Sequence, residues 1–154
     1  MDMQRPGLWL SSSDFAPGHF APHGEFRLCV QGQLVLYEAH GPFNLQAVQG
    51  LGAARQALLQ HLPPQGRFAA IVHFQGNAVM TADALEAWEQ GLKQFAAQRS
   101  RIAGVAWVAA PEVEGIHFLL SLYRRIFEEA RLPFAFFETM ELARAWAAQQ
   151  LRPV

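Results

Sequence analysis

Histidines stand at 19, 23, 40, 61, 73 and 117, and this side chain can ligate a metal or move a proton near neutral pH. Metal ligands recur at short fixed spacings, yet neither HxH nor HExxH occurs. His19 and His23 are four apart, but Pro22 argues against a helix that would put them on one face. No metal site and no cofactor is expected. His73 is the best placed of the six. It ends an apolar run that reads as a strand, and ligands of open α/β sheets gather at the C-terminal ends of strands. The plainer role, favoured by burial, is a strand-end histidine bonded to backbone.

Nucleophiles are scarce: five Ser, two Thr and the single Cys29. No GxSxG is present, and one cysteine excludes an internal disulfide or a Cys-rich zinc site. Carboxylates pair at Glu112/Glu114 in a loop and at Glu128/Glu129 late in a helix. Both pairs read as solvated, whereas acid–base catalysis needs a shielded cleft. No Gly-rich phosphate loop follows a strand. Gly50 and Gly52 sit inside a helical pattern and read as close-packing positions. Arg55 falls on the apolar face of that helix and is expected to carry its head to the rim.

The 154 residues suit one domain. An apolar content of 51% against 16% charged excludes a disordered chain. Twelve basic residues offset by 13 acidic ones exclude a dedicated nucleic-acid surface. No apolar run reaches the ~18 residues of a membrane span, and no transmembrane segment is expected. The N-terminus lacks the pattern of a signal peptide. A cytoplasmic location is therefore expected, where a lone thiol stays reduced.

Residues 1–24 read as an extended arm, broken by three Pro, three Gly and Ser11-Ser12-Ser13. Leu8, Trp9, Leu10, Phe15 and Phe20 make it too apolar for a free tail. It is expected to lie on its own domain, or else on a neighbouring subunit. The folded domain, residues 25–154, opens with a strand in which Phe26, Leu28 and Val30 alternate with Arg27 and Cys29. A turn at Gln31-Gly32 closes an antiparallel hairpin with residues 33–40. Asn44 caps a helix over 45–61, ended by Pro63-Pro64. Residues 67–74 are apolar without alternation, as in a strand covered on both faces. Thr81 caps a helix over 82–99, residues 102–109 form a second buried strand, and 115–130 a third helix. A short strand at 134–137 and a helix over 140–151, capped by Thr139, complete the chain. The expected fold is α/β: a mixed, mostly parallel five-stranded sheet with an N-terminal antiparallel hairpin and four helices.

Phe137, Ala143 and Trp146, within Phe137-Glu138-Thr139-Met140-Glu141-Leu142-Ala143-Arg144-Ala145-Trp146, resemble the closing signature of the SpoIIAA-like family. Gly41-Pro42-Phe43-Asn44 is similar to that family's junction between hairpin and first helix. The resemblance runs over residues 26–151 and implies the STAS fold of anti-anti-sigma-factor-like proteins. Ala147 stands where the family usually has Leu. The family's serine switch is not carried over, because the matching turn, residues 73–81, has no Ser and no Asp.

The third helix has a wide apolar face of Ile116, Leu119, Leu120, Tyr123, Ile126, Phe127 and Ala130. Phe118 and Leu122 fall outside it and imply a further contact, unless a neighbouring helix covers them. A non-catalytic binding domain is the expected function, for a protein partner or a small apolar, lipid-like ligand. In the lipid version Phe74, His73, Val79, Met80, Trp107, Phe118 and Leu122 line a cleft between the second and third helices. Gln75, Gly76, Asn77 and Thr81 offer an anion the start of the second helix. In the protein version the third helix supports a homodimer. The alternative is a small hydrolase-like or transferase-like enzyme using His73 with Asn77 and Glu112.

Overall fold

The fold was obtained as a computed structural model, which describes residues 9–16, 18, 21–62 and 66–153. Leu8, His19, Phe20 and Pro63-Pro64 lie outside the described residues. Six strands form one sheet in the order of the chain: β1 (Leu10–Ser11), β2 (Glu25–Gln31), β3 (Leu34–His40), β4 (Phe68–Gln75), β5 (Ile102–Ala109) and β6 (Phe134–Phe137). The first two pairings are antiparallel and the last three parallel. Helices α1 (Leu45–Leu59), α2 (Ala82–Ala96), α3 (Ile116–Ala130) and α4 (Met140–Leu151) follow β3, β4, β5 and β6.

The sixth strand comes from the arm. Leu10 and Ser11 pair with Leu28 and Arg27, and a 3₁₀ turn at Ser12–Asp14 follows. Ser12 is fully buried, and its Oγ accepts from the Phe26 amide at 2.9 Å. That bond offsets the cost of burying a hydroxyl. The Ser11 hydroxyl donates to the Glu25 carboxylate. Asn44 fastens the arm from the other side. Its Oδ1 caps α1 through the Ala47 amide and also accepts from the His23 amide, while its Nδ2 donates to the Ala21 carbonyl. The hairpin turn is Gly32-Gln33, one residue later than the alternation suggests, since Gln31 still pairs with Leu34. Gly32 supplies the positive φ (61°) that this tight turn requires.

Successive parallel strands joined by right-handed crossovers put their helices on one side. Accordingly α1, α2 and α3 share one face, and their apolar stripes close over Phe26, Leu28, Val35, Phe74, Val105 and Trp107. The last helix, α4, packs on the opposite face, over β4, β5 and β6. There it meets small or slender residues: Ala69, Ile71, Ala106, Val108 and Cys29. Gly104 belongs to this face, and a Cβ there would lie 2.8 Å from the Trp146 ring. The face that should be wet along β2 is thus wet only in part. Arg27 is exposed, but Cys29 is fully buried beneath the α4 layer.

Candidate functional site

His73 and Phe74 are neighbours in the chain and point to opposite faces, as strand geometry dictates. Phe74 and Trp107 lie in the core under α1–α3, with 0% and 1% exposure, and Met80 is buried in the same core. His73 lies on the α4 face, in a cross-strand row with Arg27, Glu38, Val108 and Phe137. Val79, Phe118 and Leu122 are exposed at 44%, 57% and 43%. The seven residues expected to line one cleft are therefore divided among the core, the opposite sheet face and the surface.

The groups expected to receive an anion are already engaged. The Thr81 Oγ1 accepts from the Ala84 amide at 3.4 Å and donates to the Asp83 carboxylate at 2.6 Å. An acid in the first turn already answers the positive end of the helix dipole. The Asn77 Oδ1 accepts from the Val79 amide at 3.0 Å, and Gly76 turns the chain with a φ of 75°. The Gln75 amide nitrogen lies 3.3 Å from His73 Nδ1.

Burial holds the His73 pKa below its ordinary value, with Glu38 opposing and His40 assisting. Among the described residues no carboxylate lies within ion-pair distance of His73, and Glu38 turns instead to Arg27 at 3.8 Å. Glu112, Glu114, Glu128 and Glu129 are all exposed. Burial pushes the Cys29 thiol pKa up, which keeps it protonated and a poor nucleophile. No group of three His, Cys, Asp or Glu side chains is arranged to hold a metal among the described residues. No helix among them is long and apolar enough to cross a membrane.

A cavity of about 260 Å³ opens elsewhere, between α1 and α2. Its floor is the sheet at Tyr37, Ala70, Val72, Val105 and Trp107, and its walls are Val48, Leu51 and Arg55 from α1 with Trp88, Leu92 and Phe95 from α2. Exposed glutamines, Gln49, Gln90 and Gln94, ring the mouth. Missing side chains make the space. Gly52 on α1 and Gly91 on α2 both line it, and a Cβ at Gly52 would meet no atom within 4 Å. Gly50, two residues earlier and so on another side of the helix, does the opposite: a Cβ there would run into the carbonyl of Ser12, so it admits the arm. Of the two glycines read as packing devices, one packs and the other leaves room.

The cavity's polar groups are few and distinctive. Trp88 and Trp107, 5% and 1% exposed, each bury an indole N–H that has no acceptor. An unmet buried donor costs on the order of 1–3 kcal/mol. Tyr123 shows the usual solution, since its hydroxyl donates to the Leu85 carbonyl at 2.9 Å. Burial pushes the Tyr37 phenol pKa up, against the charge and hydrogen bonding of Arg55. The Arg55 guanidinium lies over the Phe95 ring at 5.6 Å. It is half-buried and turned to the cavity, where the sequence suggests a solvated rim position. Trp107 is the one member of the sequence-based ligand set that lines this space. The signal for the others was present as two helical glycines and an arginine three residues after Gly52 on an apolar stripe.

No known family, curated protein or solved structure matches the chain.

Proposed function

We propose that this chain is a STAS-like binding domain that holds a small, largely apolar ligand between α1 and α2. The α1/α2 cavity carries the reading, because its lining is mostly apolar and two of its residues, Trp88 and Trp107, keep buried indole N–H donors unpaired. Small-molecule sites have this character: an apolar pocket with a few polar groups that fix orientation. A dry apolar cavity of roughly 150 Å³ accepts benzene, so this space suits a ligand of one ring or a short alkyl chain. The STAS-like part rests on the sequence resemblance, with which the sheet order and the four helices agree. The turn after β4 carries no serine, in keeping with a domain that lacks the phosphorylation switch. A protein partner would use Val79, Phe118 and Leu122, which are exposed. Nothing in the structure says what covers them, so the cavity is the stronger basis.

Heteronuclear NMR of the indole N–H groups tests the proposal. Four tryptophans, Trp9, Trp88, Trp107 and Trp146, give four signals, and two of them line the cavity. Titration with 1-octanol should shift Trp88 and Trp107 and leave Trp9 and Trp146 in place. Gly52→Leu, which fills the space, should abolish the shifts while the protein stays folded. Shifts confined to Trp9 or Trp146, or none at all, would contradict it.

A further inference from the structure

We infer that the ligand of the α1/α2 cavity is a short amphiphile with an anionic head, in its simplest form a carboxylate bound at Arg55. The inference rests on the cavity reading above and adds the chemistry of the ligand. Among the residues lining the cavity, Arg55 is the one that carries a formal charge. No acidic side chain occurs in α1; α2 carries Asp83, Glu86 and Glu89, none of which lines the cavity, and Glu89 pairs with Lys93 at 3.0 Å. Among the described residues no carboxylate lies within ion-pair distance of Arg55. Its neighbours are the Phe95 ring and the Tyr37 phenol, neither of which cancels its charge.

The balance of donors and acceptors points the same way. Arg55 brings N–H donors in a planar fork, and Trp88 and Trp107 add two indole donors with no acceptor. Aromatic rings packed around those indoles, Phe74 among them, are weak acceptors. Below the glutamines of the mouth the Tyr37 oxygen, hydrogen-bonded with Arg55, is the remaining side-chain acceptor of the lining. A site so rich in donors is complementary to an oxyanion, and a guanidinium fork meets a carboxylate two bonds at a time. Half-burial makes that pairing stronger than it would be in open water. The apolar walls then take the body of the ligand, and the modest volume limits it to a short chain or a single ring.

Calorimetric titration of the intact protein with octanoate and 1-octanol, matched in chain length, tests this. Octanoate should bind about tenfold more tightly or better, the gain expected of a charge-assisted pair. Arg55→Met keeps an apolar stem against Phe95 and should bring the two ligands level. Gly52→Leu should remove both. Equal binding of the two ligands by the natural protein, with both lost in Gly52→Leu, would leave the cavity standing and overturn the anionic head. No binding of either ligand, or octanoate binding indifferent to both substitutions, would overturn the cavity reading as well. The comparison of ligands on the natural protein decides the point even if Arg55→Met fails to fold.

Discussion

Under α1, α2 and α3 the sheet presents Phe26, Phe74, Val105 and Trp107; under α4 it presents Ala69, Gly104, Ala106 and Cys29. The first face is crowded with rings. Trp107 alone has Phe74, Trp88, Phe127 and Phe134 within 6.0 Å of its centroid. The second is smooth enough for one helix to lie close, and beyond α4 it ends in the polar row of Arg27, Glu38 and His73. Large rings pack efficiently only where every gap has a filler, and two glycines on facing helices remove the filler between α1 and α2. On the other face the residues are small and α4 comes down to meet them, with the Trp146 ring close over Gly104. The bulkier face therefore holds the cavity.

Substitutions on the two faces should differ in size and kind. Trp107→Ala removes the centre of the ring cluster and should cost about 3–5 kcal/mol in chemical denaturation. A loss below about 1 kcal/mol would mean the first face is already loose around its cavity, and the contrast would fail. Gly104→Ala puts a methyl group against Trp146 and the Gln150 side chain, 2.8 and 3.2 Å away. It should cost about 1–3 kcal/mol by lifting α4. Hydrogen exchange should show the added opening in α4 and not in α1 or α2. Exchange raised evenly over all helices would contradict the separate packing of the two faces.

The smallest effect concerns the polar row. Burial lowers the pKa of His73 from its ordinary 6.5, so the unfolded chain binds this proton more readily than the folded one. The sign follows from proton linkage: stability from neutral His73 is present above that ordinary value and is lost as pH falls below it. His73→Gln should flatten the decline in unfolding free energy between about pH 8 and pH 5. An unchanged slope would mean that Glu38, which favours the charged form, offsets burial in full.

Much of the architecture was legible in the residues. Apolar runs at 102–109 and 134–137 gave strands with the same limits, and Asn44, Thr81 and Thr139 cap the helices they precede. Caps and periodicity are local, and local signals survive folding. The strand at Leu10–Ser11 was not legible, because two residues show no period and depend on partners at Leu28 and Arg27, far along the chain. The candidate site was harder still. His73 and Phe74 are adjacent in sequence and on opposite faces of the sheet, so nearness along the chain does not bring their side chains into one site. Trp107 was found through its apolar strand. Arg55, Gly52 and Gly91 matter only when α1 and α2 lie side by side, which no local pattern states.

The most direct measurement is a crystal structure of the intact protein grown with octanoate. The expected result is an alkyl chain between α1 and α2, with its carboxylate within hydrogen-bonding distance of the Arg55 guanidinium. An empty cavity, with octanoate lying instead on Phe118 and Leu122 or nowhere, would contradict the binding role assigned to this space.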